Sequence, residues 1–247
     1  MKYFVALIFI LLALCQTVVA SSAKVTKEKI VSGGKNRFYY LFVPDKLAAA
    51  KPAPLVVLLH GSGGNGLSLV ERWKDLAEKE GIILAGPDSS DSGLWATPAD
   101  GPEFLRDVVE ALKGRHAINA RRVYLFGHSA GASYALYMSI FESQYFAAAA
   151  IHAGMIPPQT YSYIDVARRK TPISMWVGML DHEFAVVGAR ATRDALNARG
   201  FKAQLTEIPG HDHSYYRWSE KINQEAWAFL QQHELTEEPQ YQQYNFK

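Results

Sequence analysis

Short apolar runs alternate with longer amphipathic segments along most of this chain. The run at 55–59 is apolar at every position, which is typical of a strand covered on both faces of a parallel sheet. Further strands are predicted at 82–85, 123–126, 146–151, 173–178 and 203–208. Residues 25–31 and 37–43, separated by a turn that contains Gly33 and Gly34, are predicted to form an antiparallel hairpin.

The segments between the strands have the spacing of amphipathic helices. Asp100 is predicted to cap one helix, with Pro102 in its first turn, and Gly200 is predicted to end another that begins near Phe184. A hairpin followed by alternating strands and helices predicts an α/β protein with an about eight-stranded, mostly parallel sheet flanked by helices. The insertion at 155–169 is long enough to form a short cap region.

The composition fits one folded domain. The 247 residues are 49% hydrophobic and 20% charged, the balance of an ordinary globular protein. A formal charge of +2 without a basic stripe argues against nucleic acid as a partner. We therefore predict a single domain over 21–247, with its polar tail from residue 234 onward on the surface or frayed.

The first twenty residues differ from the rest. Lys2 precedes an unbroken apolar run at 4–14, and the small residue Ala20 closes the segment, which is the pattern of a secretory signal peptide. The run is about half the ~20 residues that a membrane-spanning helix needs, so a stable membrane anchor is not expected. Lipid attachment at Cys15 is the alternative, although Leu14 is larger than the residue expected there. We predict a secreted protein, periplasmic or extracellular.

A candidate nucleophile lies between the strand at 123–126 and the helical stretch at 132–141. The segment reads Gly127-His128-Ser129-Ala130-Gly131. A glycine-x-serine-x-glycine sequence between a strand and a helix predicts a nucleophile elbow, in which the chain turns sharply and exposes the serine hydroxyl above the sheet. Ser129 is therefore the predicted catalytic nucleophile.

Three segments carry a resemblance to a known family. They are Leu59-His60-Gly61-Ser62-Gly63-Gly64, Arg122-Val123-Tyr124 and Asp212-His213-Ser214-Tyr215-Tyr216. With the elbow, they make the mature chain resemble the serine esterases of the α/β-hydrolase superfamily. More narrowly, it is similar to the polyhydroxybutyrate depolymerase and feruloyl esterase group and to the esterase D (S-formylglutathione hydrolase) group.

The resemblance implies the other two members of a catalytic triad. In this superfamily the acid follows the nucleophile along the chain and the histidine comes last. Asp181, just after the strand at 173–178, matches the acid, and Glu183 is the alternative. The esterase D pattern selects His213 as the base, whereas a glycine-histidine pattern of other hydrolases would select His211.

The histidine-x-histidine spacing of His211 and His213 also permits a metal site, because alternate residues of an extended chain share a face. No second cluster supplies a third ligand, so we predict no metal.

The oxyanion hole needs two backbone N–H groups that point at the tetrahedral intermediate. The resemblance implies that Ala130 and Ser62 supply them. Trp95 lies on the loop after the fourth strand, where it could line the substrate pocket or simply pack as an aromatic residue.

These assignments predict a secreted serine hydrolase that cleaves carboxylic esters, possible substrates being feruloyl esters or polyesters, with no cofactor. A serine peptidase of the same fold and a non-catalytic hydrolase-like binding protein are the alternatives. The residues leave open the natural ester, the oligomeric state and whether 155–169 acts as a lid.

Overall fold

The computed structural model describes residues 24–45, 47, 51–97 and 99–243. The signal peptide predicted at 1–20 lies outside these residues. Within these ranges, eight strands form one sheet in the order β1-β2-β4-β3-β5-β6-β7-β8. The strands are β1 (Thr26–Ser32), β2 (Lys35–Phe42), β3 (Ala53–Leu59), β4 (Ile83–Pro87), β5 (Ile118–His128), β6 (Ala148–His152), β7 (Ile173–Gly178) and β8 (Ala203–Ile208).

The sheet is antiparallel only where β2 pairs with β1 and with β4, and all its other pairings are parallel. The β1–β2 hairpin turns through Gly33 and Gly34, both at positive φ, where glycine is favoured. Because the parallel strands end at the same edge, the loops after β3, β5, β7 and β8 meet there. This edge carries all the predicted catalytic residues.

Among the described residues, five α-helices cover the two faces of the sheet. They are α1 (Gly66–Glu80), α2 (Pro102–Lys113), α3 (Ala130–Phe141), α4 (Val186–Asn197) and α5 (Tyr215–Leu230). Apolar side chains of α1 and α5 pack on one face, and those of α2, α3 and α4 pack on the other. The predicted α/β fold, its mostly parallel sheet and its flanking helices are confirmed. In the described part of the chain no helix combines the length and apolar character needed to cross a membrane.

The prediction that Asp100 caps α2 is wrong. The capping position belongs to Gly101, and Asp100 is instead fully buried. Its carboxylate pairs with Arg37 at 2.5 Å and accepts hydrogen bonds from Ser90 and from the backbone of Ala96. The Asp100 carboxylate therefore stabilises the loop after β4. Because its oxygens are bonded to Arg37 and to donors of this loop, they do not cap α2.

The insertion at 155–169 contains a 3₁₀ helix, Pro158–Val166. Thr160 lies 2.9 Å from the hydroxyl of Tyr137 on α3, and the ring of Tyr163 packs on Phe141. Ile164 of the same 3₁₀ helix is buried. The insertion is therefore anchored along α3.

The C-terminal tail does not fray over its described length. The N–H of Leu235 donates to the carbonyl of Arg121, and the N–H of Gln240 donates to that of Gln144. Leu235 is itself buried. The tail therefore runs as a strap over the sheet end opposite the predicted catalytic residues.

Candidate active site

Ser129 occupies a sharp turn between β5 and α3, at a φ of 57°. A Cβ on Gly127 would lie 2.3 Å from the carbonyl oxygen of Gly131, and one on Gly131 would lie 2.0 Å from that of Leu59. Both positions therefore exclude any side chain. The glycines let the chain turn tightly enough to hold Ser129 in a conformation that non-glycine residues rarely adopt.

Ser129, His213 and Asp181 form one hydrogen-bonded line. The Oγ of Ser129 lies 3.0 Å from Nε2 of His213, and Nδ1 of His213 lies 2.9 Å from Oδ2 of Asp181. The Nδ1–H can donate to the carboxylate, which leaves Nε2 unprotonated and able to take the serine proton. The three residues are thus arranged as nucleophile, base and orienting acid.

The loop after β7 fixes the acid. The side chain of Asp181 is completely buried, and its Oδ1 accepts hydrogen bonds from the N–H groups of Glu183 (2.9 Å) and Phe184 (2.8 Å). The Glu183 carboxylate is 69% exposed and lies 3.6 Å from Nε2 of His213, the nitrogen that faces the serine. Of the two candidate acids, Asp181 is the one positioned to orient the imidazole.

The two candidate bases occupy different environments. The ring of His213 stacks on that of Phe184, at 5.6 Å and 10°, and reaches Ser129. His211 is fully buried, and its Nε2 faces Nε2 of His152 at 2.8 Å. The geometry therefore joins His213, and not His211, to the nucleophile and the acid.

The loop after β3 lies against the nucleophile. A Cβ on Gly61 would lie 3.1 Å from that of Ser129, and the N–H of Gly63 donates to the carbonyl of Ser92 at 2.7 Å. Within the described residues, no hydrogen bond uses the N–H of Ser62 or of Ala130. Two free donors beside a nucleophile are what an oxyanion hole requires.

Trp95 supports this loop from behind. Its Nε1–H donates to the carbonyl of His60 at 2.9 Å, and its ring stacks on Tyr134 at 4.8 Å. These contacts give it a structural role beside the oxyanion loop. Its place in a substrate pocket stays a prediction.

A groove of about 470 Å³ opens beside His213 of the triad. Its walls come from the loop after β7, including Leu180 and Glu183, and from His213 on the loop after β8. Tyr216 at the start of α5 and His128 also contribute. The insertion at 155–169 contributes nothing to this lining. The groove is therefore open rather than covered by the insertion.

Burial keeps the histidines behind the triad neutral. Burial lowers the pKa of His128 to about 4 and that of His152 to about 2, and it lowers the pKa of His60 and of His211. In the described ranges, no group of three or more His, Cys, Asp or Glu side chains is arranged to hold a metal ion.

Comparison with solved structures identifies the class of fold. An S-formylglutathione hydrolase from Staphylococcus aureus superposes with a TM-score of 0.72 over 85% of this chain and 100% of that one, at 15% identity. A ferulic acid esterase from Anaeromyces mucronatus superposes with a TM-score of 0.66 over 83% of this chain and 89% of that one, at 17% identity. The fold is that of the α/β-hydrolases, and the resemblance seen in the sequence is confirmed.

The sequence then defines the family. Residues 93–238, more than half of the chain, match the dienelactone hydrolase family, and the chain belongs to it. NocK of Nocardia uniformis subsp. tsuyamanensis, whose name describes an esterase, is 31% identical over 151 residues, 56% of this chain. Feruloyl esterase B of Neurospora crassa is 33% identical over 128 residues, 47% of this chain. The matches span 43% of the length of each relative.

Sequence reasoning missed the hydrogen bonds among His128, His152 and His211. It considered His211 only as an alternative base or as a metal ligand. The register of β5 and β6, which pairs His128 with His152, was needed to bring these rings together.

Proposed function

We propose that this protein is a serine hydrolase that cleaves carboxylic esters through an acyl-enzyme on Ser129. The observation that carries the proposal is the line of hydrogen bonds from Ser129 through His213 to the buried Asp181. Membership of the dienelactone hydrolase family supports it, as do the relatives named as esterases.

The chemistry follows from the positions of these groups. His213 takes the proton of Ser129 as Oγ attacks the ester carbonyl, and Asp181 stabilises the resulting imidazolium. The N–H groups of Ser62 and Ala130 receive the negative charge of the tetrahedral intermediate. His213 then protonates the departing alcohol, and water repeats the sequence to release the acid. The described side chains and N–H groups carry every step, so the proposed mechanism uses no cofactor.

The open groove favours esters with bulky groups, such as feruloyl esters or polyesters, because nothing in the described lining encloses a small substrate.

A panel of p-nitrophenyl esters of increasing acyl length, with feruloyl esters, polyester particles and matched peptide amides, tests the proposal. We expect ester hydrolysis that Ser129→Ala reduces by about 10³-fold or more. Amide cleavage without ester cleavage, or no turnover of any member, would contradict it.

Secretion is a separate part of the proposal and rests on the pattern of residues 1–20. Expressed in full in a bacterial host, the exported protein should begin near Ser21, as read by intact mass. A mass that retains residues 1–20, or a diacylglycerol on Cys15, would contradict a soluble secreted product.

A further inference from the structure

A single peptide unit carries one of the two candidate oxyanion donors. It joins the carbonyl of Gly61 to the N–H of Ser62, in the loop at 60–65 between β3 and α1. Because a trans peptide unit is planar, its C=O and its N–H point in opposite directions. Any contact that fixes the direction of the Gly61 carbonyl therefore also fixes the direction of the Ser62 N–H.

Two donors hold the Gly61 carbonyl. The N–H of Gly64 donates to it at 3.1 Å and closes a turn in which Gly63 has a φ of 75°. Nδ1 of His60 lies 2.8 Å from the same oxygen. A Cβ on Gly61 would lie 3.1 Å from that of Ser129, so the held peptide unit begins directly against the nucleophile.

The contacts of the His60 ring define where its proton lies. A carbonyl oxygen can only accept, so Nδ1 carries the proton that it donates to Gly61. Nε2 accepts from the backbone N–H of Ser89, which can only donate, at 3.2 Å, and the Ser89 hydroxyl lies 3.2 Å from the same nitrogen. The residue is 1% exposed, and burial lowers its pKa, which favours the neutral ring. His60 is thus a fixed bridge between Ser89 and the Gly61 carbonyl.

The loop after β4 adds two further contacts. The Nε1–H of Trp95 donates to the carbonyl of His60 at 2.9 Å, and the indole ring stacks on Tyr134 at 4.8 Å. The carbonyl of Ser92 accepts from the N–H of Gly63 at 2.7 Å. Hydrogen bonds from this loop therefore reach the residue before and the residue after the peptide unit that carries the candidate donor.

We propose that His60 and Trp95 are positioning residues of the hydrolytic reaction. His60 directs the N–H of Ser62 toward the oxyanion by holding the carbonyl of the same peptide unit, and Trp95 holds His60 in place through its backbone. The inference rests on the proposed function, since it assigns roles in the same reaction. Both residues act through the backbone of the loop at 60–65.

The proposal makes a kinetic distinction. The ester oxygen gains its full negative charge only as the tetrahedral intermediate forms, so a misdirected N–H raises the barrier without weakening substrate binding. Loss of positioning should therefore lower kcat and kcat/KM equally and leave KM unchanged. A residue that only stabilises the fold would lower Tm and leave the kcat of the folded enzyme unchanged.

Two substitutions of His60 separate its two contacts. The amide of His60→Asn lies near the position of Nδ1 and can still donate to the Gly61 carbonyl, whereas that of His60→Gln lies near Nε2 and can only replace the contact to Ser89. On a p-nitrophenyl ester we expect His60→Gln to lose about 10- to 100-fold in kcat, less than removal of the N–H itself, because Gly64 still holds the carbonyl. The kcat of His60→Asn should stay within about threefold of the wild-type value.

Trp95→Phe removes one hydrogen bond and keeps an aromatic ring against Tyr134. We expect its kcat to fall by about 3- to 10-fold at unchanged KM, the range of one hydrogen bond between neutral groups. Trp227→Phe is the matched control, because it removes an indole N–H that lies 3.4 Å from Glu80, at the end of α1. The control should keep the wild-type kcat.

A double-mutant cycle with Ser62→Pro tests whether His60 acts through this N–H. Ser62 is the second residue of the turn that Gly64 closes, a position that accepts proline. Ser62→Pro has no N–H to direct, so adding His60→Gln should lower kcat by less than about twofold further. The same cycle with Trp95→Phe provides the test if His60→Gln does not fold. An equal further loss in both backgrounds would overturn the inference.

Nitrogen-15 NMR of the wild-type protein gives a reading that does not depend on the variants. We expect the proton of His60 on Nδ1 at pH 7, and a proton on Nε2 alone would overturn the inference. An active wild type with unchanged kcat in a folded His60→Gln, or equal kcat in Trp95→Phe and Trp227→Phe, would also overturn it. A wild-type protein that hydrolyses no ester would instead contradict the proposed function.

Discussion

Replacing the two histidines of the loop after β8 one at a time should give opposite results for activity and stability. His213 lies 3.0 Å from the Oγ of Ser129 and 2.9 Å from Asp181, so its removal leaves the serine without a proton acceptor. Triad members act as a unit, and we expect His213→Ala to lose about 10⁴-fold or more in kcat/KM, about 5.4 kcal/mol of barrier. Its side chain is 21% exposed, so the cost in stability should stay below about 1 kcal/mol.

His211→Ala should behave in the opposite way. Its fully buried ring hydrogen-bonds His152 at 2.8 Å and packs on Trp218. Truncation leaves a cavity and an unpaired nitrogen, which together cost about 3 kcal/mol in the free energy of unfolding, or a Tm lower by about 6 to 12 °C. Activity should fall by less than about tenfold, because this ring does not contact Ser129.

The two variants are compared by kcat/KM on one soluble p-nitrophenyl ester and by thermal unfolding followed by circular dichroism. Activity is measured well below the Tm of the weaker variant, so that unfolding does not contribute. An active His213→Ala alongside a folded but inactive His211→Ala would refute the assignment of the base.

Three further predictions concern the oxyanion loop, the acid and the buried histidines. Ser62→Pro removes a backbone N–H and should lower kcat by about 10²- to 10³-fold. Ser62→Ala keeps that N–H, so its kcat should stay within about threefold of the wild-type value. Equal losses of kcat in the two variants would rule out the backbone N–H of Ser62 as an oxyanion donor. Asp181→Asn should lower kcat by about 10⁴-fold and Glu183→Gln by less than tenfold, measured on one ester; the reverse order would make Glu183 the acid. The folded-state pKa values of His128 (about 4) and His152 (about 2) lie below the value in the unfolded chain. The contribution of the two neutral rings to the free energy of unfolding is therefore complete above about pH 6.5 and is lost as the pH falls. Urea unfolding should show that His128 lowers the free energy of unfolding by an amount on the order of 3 kcal/mol by pH 4. The free energy of unfolding of His152→Gln should depend less steeply on pH than that of the wild type, and parallel curves for the two proteins would contradict this.

The sequence predicted what depends on local pattern. Alternation of apolar runs and amphipathic segments indicated all eight strands, and the turn around Ser129 was recognisable because glycines, strand and helix are contiguous there. Asp181 and His213 followed from their order along the chain and from resemblance. None of these inferences needed a contact between distant residues.

What the sequence did not predict depends on such contacts. Asp100 was predicted to cap a helix because the local sequence shows only that it lies shortly before Pro102. Its buried pairing with Arg37 joins residues 63 positions apart, which the local sequence does not show. The hydrogen bond between His152 and His211 joins residues 59 positions apart. The strap after α5 has no periodicity because its backbone N–H groups pair with the carbonyls of other segments instead of with its own.

Covalent labelling of Ser129 tests the central claim most directly. A fluorophosphonate reacts with an activated serine and is not released, so peptide mapping by mass spectrometry locates the nucleophile. Ser214, which lines the groove beside His213, provides the matched control. We predict one label per chain on Ser129 in the wild type and in Ser214→Ala, and none in Ser129→Ala. Labelling of a folded Ser129→Ala at the wild-type rate, or no label on Ser129 in the wild type, would contradict the proposed mechanism.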